Sequence, residues 1–170
     1  MTPDYAQIVE GCRRRNPKSQ RELYDATSRM ALGVCMRYSN SRAEAQDLMQ
    51  DGYIKVFEKI GSLREPEKLI SWVYNIMVNT SLDSCRARRE MYYVDPSDLP
   101  DTSLDLDPYG TEEIVSAIQK LPPLQRQVFN LCVVEGYSLD ETAERLRSNN
   151  LAVRVSLSRA KERLRKILTS

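Results

Sequence analysis

The sequence predicts an all-α protein of two small helical domains joined by an acidic linker, the C-terminal domain being a helix-turn-helix. Three observations carry that expectation. Only six glycines occur in 170 residues, while Leu, Glu, Arg, Ala and Gln are abundant and long β-branched runs are absent, a composition that favours helix. Apolar residues recur at helical spacing through most of the chain, with no competing strand alternation. One long aperiodic stretch, "VDPSDLPDTSLDLDPYG", interrupts that pattern with three of the eight prolines and reads as a linker. The expected organisation is residues 1–93, a linker at 94–110, and residues 111–170.

Taken in order, helices are expected near Asp4–Arg14 and Pro17–Tyr38, where Pro3 and Pro17 can each open a helix. In "SRAEAQDLMQDGYIKVFEKI", Ala45, Leu48, Met49, Gly52, Val56 and Ile60 make one apolar stripe. Ser41 caps it, with Glu44 three residues on. "GSLREPEK" is a loop. In "KLISWVYNIMVNTSLDSCRARRE", Leu69, Trp72, Val73, Ile76 and Thr80 keep the same spacing, which places Trp72 in the core and leaves Tyr74 open to either side. Asn75, Asn79, Asp83 and Arg86 form a polar stripe on that helix. After the linker, a helix over about Pro123–Glu135 ends at Gly136, a ready αL terminator. Ser138 with Glu141 forms a capping box for a helix barely two turns long, whose narrow apolar face is Leu139, Thr142, Ala143 and Leu146. A short "RSNN" turn leads to a last helix with Val153, Leu157, Ala160, Leu164 and Leu168 on one face and Arg154, Ser158, Arg159, Lys161, Arg165 and Lys166 on the others.

A short capped helix, a tight turn and a longer helix with a basic outer face make a helix-turn-helix. Such a unit lays its second helix in the DNA major groove, with that helix's N-terminal residues at the base edges. Those residues are Asn150, Leu151, Arg154, Val155 and Ser158. Arg154 can bond guanine bidentately and Asn150 can read adenine, while Arg159, Lys161 and Arg165 suit phosphates. A solvated basic helix in a bundle is the plainer alternative.

The charge map points the same way. The net charge is only +1. From Met91 to Gln119, however, there is no Lys or Arg, while Asp95, Asp98, Asp101, Asp105, Asp107, Glu112 and Glu113 contribute seven negative charges. The remainder therefore carries +8, so two basic lobes flank an acidic strap, an asymmetry that suggests nucleic-acid contact.

Other functions find little support. No histidine occurs, and neither a Gly-rich phosphate loop nor a nucleophile motif is present, so no enzyme and no cofactor or small-molecule substrate is expected. Cys12, Cys35, Cys85 and Cys132 are widely spaced, which argues for buried reduced thiols rather than a metal site. "DLDPYG", from Asp105 to Gly110, has the look of a calcium loop, but Ser116 stands where the closing Glu is needed. No stretch approaches the ~18 apolar residues of a membrane span, and "MTPDYAQIVEG" lacks the apolar core of a secretory signal. A cytoplasmic location is expected.

With these residues on the page, a resemblance emerges. "GYSLDETAERL" followed by "VRVSLSRAKERL" resembles the −35-binding domain of the extracytoplasmic-function (ECF) group of bacterial RNA polymerase sigma factors, and "LPPLQRQVFNL" matches the first helix of that domain. "AEAQDLMQDGYIKVFEKI" with "KLISWVYNIMVNTSLDSCRARRE" resembles the group's other domain, which binds the polymerase clamp and the promoter −10 element. The resemblance implies a factor that directs promoter recognition and melting, with core RNA polymerase and promoter DNA, duplex and melted, as partners. It also admits a membrane-anchored anti-sigma factor. It implies core polymerase binding by Asp47, Gln50, Asp51, Lys55 and Phe57. It implies −10 binding by Asn75, Asn79, Asp83, Arg86, Arg88 and Arg89, and capture of a base turned out of the duplex by the "GSLREPEK" loop. It implies −35 binding by Asn150, Leu151, Arg154, Val155, Ser158, Arg159 and Lys161. Tyr92 and Tyr93 can stack on bases. The strap would thread through the polymerase cleft, or act only as a solubilising spacer. Two departures stand out. Arg147 replaces the usual turn Gly, which moves the expected left-handed residue toward Asn149 or Asn150. Leu151 and Ala152 replace small or hydroxyl residues, which weakens the expected −35 contact. The alternative is a helix-turn-helix regulator that binds its operator without polymerase.

Overall fold

The computed structural model describes the backbone of residues 2–91 and 111–170 and the side chains of residues 2–86 and 111–170. The expected linker at 94–110 and the side chains of Arg88, Arg89, Tyr92 and Tyr93 lie outside the described residues. All regular structure among the described residues is helical. The elements are α1 (Tyr5–Arg13), α2 (Pro17–Tyr38), α3 (Arg42–Lys59), α4 (Leu69–Met91), α5 (Thr111–Gln119), α6 (Pro123–Phe129), α7 (Leu139–Arg145) and α8 (Asn150–Thr169), with 3-10 turns at Ile60–Ser62 and Pro66–Lys68 and a π-helical segment at Asn130–Val134. They form two compact units, Met1–Ser84 and Cys85–Ser170.

In the first unit, local chemistry sets each helix start. The Asp4 carboxylate accepts from the Ala6 and Gln7 amides at 3.1 and 3.3 Å. Asn16 accepts from Lys18 and Ser19 at 2.9 and 3.4 Å, with Pro17 at the first helical position, where its missing N–H costs nothing. Ser41 accepts from the Glu44 amide at 3.2 Å, while the Glu44 carboxylate reaches back to the Asn40 amide at 2.9 Å. The whole expected stripe of α3, from Ala45 to Ile60, is buried. Leu69, Val73 and Met77 of α4 are fully buried, whereas Trp72 and Ile76 are half-buried. Gly52 lets α3 approach α4 closely: a Cβ there would stand 2.3 Å from the Met77 sulfur.

The second unit adds a helix that the sequence reading left unassigned, α5. Its core joins Ala117, Ile118 and Leu121 to Ala160 and Leu164 of α8, with Phe129 and Ile167 packed at the edge. Arg126 is buried, yet its charge is satisfied. Nε donates to the Ile118 carbonyl at 3.3 Å and Nη2 to those of Gln119 and Leu121 at 2.7 and 3.0 Å. It thereby caps the carbonyl end of α5, where a cation is favoured. The helix expected over 123–135 runs as α only to Phe129 and then widens into the π segment. Gly136 takes φ +79° as the left-handed terminator, and the Tyr137 amide closes onto the Leu131 carbonyl at 2.9 Å. The capping box of Ser138 and Glu141 is complete.

The left-handed residue does not move to Asn149 or Asn150; Arg147 itself has φ +51°. Two bonds hold it there. The Arg147 amide donates to the Glu144 carbonyl at 3.2 Å and the Ser148 amide to the Ala143 carbonyl at 2.8 Å, the pair that defines a Schellman end. Asn149 is then needed in extended form as the cap of α8, accepting from the Ala152 amide at 2.9 Å. The same motif ends α1, with Arg15 at φ +57° and bonds from Arg15 to Cys12 and from Asn16 to Gly11.

Candidate functional site

Three helix faces carry most of the residues singled out from sequence. On α3, Asp47, Gln50 and Asp51 are exposed and Phe57 is half-buried. Gln50 and Phe57 line a groove of about 530 Å³ together with Tyr24, Gln46, Met49, Tyr53 and Ile54. Ile54 is 57% exposed and Tyr24 44%. The floor is rigid. The rings of Tyr24 and Tyr53 lie 4.9 Å apart, those of Tyr53 and Phe57 6.1 Å, and the Tyr53 hydroxyl meets the Thr27 hydroxyl at 2.7 Å. Burial pushes the Tyr53 phenol up to about 12, so it stays a neutral anchor. The sequence reading missed Tyr24 and Ile54. Ile54 had a signal, being apolar but out of phase with the Gly52, Val56 and Ile60 stripe. Tyr24 had none, since it arrives from α2.

On α4, Asn75, Asn79 and Asp83 are exposed along one side, as their spacing requires. Lys55 of α3 turns toward this stripe, its Nζ lying 3.8 Å from the Asp83 carboxylate. The structure thus brings together one residue from each expected group. At this distance and exposure the pair contributes little stability. Arg86 is half-buried, and its guanidinium donates to the Arg145 carbonyl within the second unit. In the "GSLREPEK" loop, the Leu63 carbonyl accepts from the Arg13 guanidinium of α1, and Lys68 pairs with Glu65.

On α8, Leu151, Arg154, Val155, Ser158, Arg159 and Lys161 are exposed, Asn150 is half-buried, and Val153, Ala160 and Leu164 face inward. Asn149 and Asn150 divide the work: Asn149 turns back to cap the helix, and Asn150 turns outward. The Asn150 amide nitrogen donates to the Asp140 carboxylate of α7 at 2.8 Å, and its oxygen accepts from the Arg154 Nη2 at 3.1 Å. Across the turn, the Arg145 guanidinium lies over the Tyr137 ring, 4.3 Å from its centre. Among the described residues no group of three or more acidic or Cys side chains is placed to hold a metal ion.

Comparison with known proteins gives these faces their context. The family model of sigma-70 region 2 matches residues 23–90, and that of sigma-70 region 4 matches residues 111–164. The RNA polymerase sigma-E factor of Streptomyces avermitilis is 31% identical, over 75% of this chain and 72% of its own. The ECF RNA polymerase sigma factor SigM of Mycobacterium tuberculosis is 30% identical, over 76% of this chain and 67% of its own. The chain belongs to the ECF group of RNA polymerase sigma factors. As such it is a transcription initiation factor rather than an enzyme, and its partners are core RNA polymerase and promoter DNA. The sigma factor RpoE of Bartonella quintana, solved in complex with the anti-sigma factor NepR, shares the fold. Its TM-score is 0.53 at 22% identity, with 88% of this chain and 96% of that one covered. In this chain α3 falls within the region 2 match and α2 and α4 largely within it, while α5–α7 fall within the region 4 match and α8 largely within it.

Proposed function

We propose that the sigma factor divides its work between the faces just described. The α3 face docks on core polymerase through Asp47, Gln50, Asp51, Lys55 and Phe57, joined by Tyr24 and Ile54. The α4 stripe meets the melted −10 element through Asn75, Asn79, Asp83, Arg86, Arg88 and Arg89. The α8 face meets the −35 duplex through Asn150, Leu151, Arg154, Val155, Ser158, Arg159 and Lys161. Domain limits of 1–93 and 111–170, with a linker at 94–110, go with that division. The place of action is the cytoplasm, where polymerase and chromosome are. No described helix is long and apolar enough to cross a membrane. An anti-sigma factor is a further partner, on the precedent of the RpoE complex with NepR.

The observation that carries the polymerase contact is Ile54. A β-branched side chain 57% exposed at a groove that Gln46 and Gln50 also line has the apolar centre and polar rim of a protein interface. Replacing it by Glu places a charge where the partner would be desolvated and leaves the fold's core untouched. Binding of the purified chain to core polymerase is expected to weaken by about tenfold or more. Wild-type affinity for Ile54→Glu would refute the α3 assignment. Gel shifts on promoter duplex with and without core enzyme exclude the polymerase-independent regulator if the specific complex needs the enzyme.

A further inference from the structure

The bonds among Asp140, Asn150 and Arg154 form a chain across the helix-turn-helix, from the first turn of α7 to the second turn of α8. Asn150 and Arg154 stand one helical turn apart, so their side chains share a face. The amide of Asn150 has its nitrogen and oxygen on opposite sides of one carbon. Because the nitrogen donates to Asp140 at 2.8 Å, the oxygen is turned toward Arg154, from which it accepts at 3.1 Å. We propose that Asp140 and Asn150 are positioning residues that fix the Arg154 guanidinium for reading a guanine in the −35 element, and that Asn150 reads no base itself.

The proposal rests on the −35 reading of α8. It assigns Asn150 a different task from the adenine contact that its residue type suggests, because one N–H and one oxygen lone pair of its amide are already committed to Asp140 and Arg154, which fixes the amide plane by partners within the protein rather than by a base. The arrangement also keeps a carboxylate from neutralising the arginine. The acceptor that Arg154 meets here is a neutral amide oxygen, and the Asp140 carboxylate bonds the nitrogen of that amide. A guanidinium has five N–H donors. One is spent on Asn150, and four remain for the two acceptors that guanine shows in the major groove. An exposed arginine without such a bracket samples many rotamers, and ordering it on DNA would weaken the discriminating contact.

The test is run-off transcription by core polymerase with the full chain, on promoters randomised over the −35 element, with base preference read from the transcripts. Arg154→Ala should abolish the preference for one G·C pair, a discrimination of about tenfold to a hundredfold for a bidentate contact. Asn150→Ala and Asp140→Ala should each weaken the preference at that same position by about threefold to tenfold, the cost of immobilising one flexible side chain. Asp140→Asn keeps an acceptor oxygen and should retain the preference, whereas an effect of charge alone would move Asp140→Asn and Asp140→Ala together. If Arg154→Ala abolishes a preference that Asn150→Ala and Asp140→Ala leave intact, the bracket is wrong and the −35 reading stands. A loss of A·T preference at another position in Asn150→Ala would overturn the proposal by making Asn150 a base reader. If Arg154→Ala changes nothing, the −35 reading falls and the proposal with it. Asp140 and Arg154 are exposed and Asn150 is half-buried, all three outside the core, and thermal melting of each variant checks that the fold is kept.

Discussion

Arg147 sits at φ +51° with its side chain exposed, a backbone state that costs a non-glycine residue roughly 1 kcal/mol or more. The two bonds that hold it there use backbone groups only, so a side-chain change leaves them in place. Arg147→Gly is therefore expected to raise unfolding stability by about 1 kcal/mol, read as a higher urea midpoint at unchanged slope. A fall in the midpoint would show that the arginine side chain stabilises the turn by more than the strain costs. The cysteines give a second residue-level expectation. Burial pushes the Cys12 thiol up to about 11, with Glu22 adding to the shift, and burial pushes Cys35 up to about 11 against the opposing Ser81 hydroxyl and Arg37. The fold favours the neutral thiol, so this contribution is fully present below the unfolded thiol value of about 8.5. It is lost as pH rises from there through about 11. The melting temperature should fall over that window, and the fall should be smaller in a Cys12→Ala, Cys35→Ala variant. An equal fall in both proteins would assign the loss to other groups.

At the scale of the element, the close approach of α3 and α4 is decided by one missing methyl group. In a helix interior Ala is favoured over Gly by about 1 kcal/mol, so Gly52→Ala would stabilise α3 if nothing opposed it. The fully buried Met77 does oppose it, with its sulfur 2.3 Å and its terminal methyl 2.9 Å from the new Cβ, an overpacking that costs about 1–3 kcal/mol. Gly52→Ala should thus destabilise the chain, while in a Met77→Ala background the same change should be stabilising. The double-mutant cycle reads that reversal directly. The same balance between local and long-range causes decides how much was legible in the sequence. Helix α2 was expected with its observed limits because Pro17 and Tyr38 bound a periodic run, and the caps at Ser41 and Ser138 are local chemistry. Every stripe residue expected on α3 is buried because spacing alone assigns it to one face. Helix α5 went unassigned because its capping group, Arg126, is brought up from the next helix. The π segment at 130–134 was hidden because its residues differ from α-helical ones only in which carbonyl they bond. Of the candidate site, the exposure of the chosen residues of α3, α4 and α8 followed from periodicity, while the polymerase-binding role expected on α3 came from the family resemblance. The Asp140–Asn150 bond, the Lys55–Asp83 pair and Tyr24 at the groove come from other elements and had no signature along the chain.

For the whole molecule the governing quantity is the distribution of charge. The net value of +1 is the residue of +8 outside Met91–Gln119 and −7 within it. Non-specific attraction to duplex DNA follows the positive charge that can meet phosphates and release counterions. Acidic side chains tethered in the same chain oppose that attraction where they come within about 8 Å of the basic residues, the range of a charge at physiological salt. Replacing Asp95, Asp98, Asp101, Asp105 and Asp107 by Asn removes five of the seven negative charges and takes the net charge from +1 to +6, with no change in the basic residues of either flanking region. If the strap restrains the basic regions electrostatically, the isolated variant should bind random duplex about tenfold more tightly at low salt, with a steeper decline of affinity as salt is raised. Transcripts that it starts with core polymerase should then come from a wider set of sequences. If the strap is only a solubilising spacer, the variant's affinity for random duplex and its salt dependence will match those of the natural chain. Fluorescence anisotropy on one random duplex over a series of salt concentrations separates the two, because it reads both the affinity and its slope.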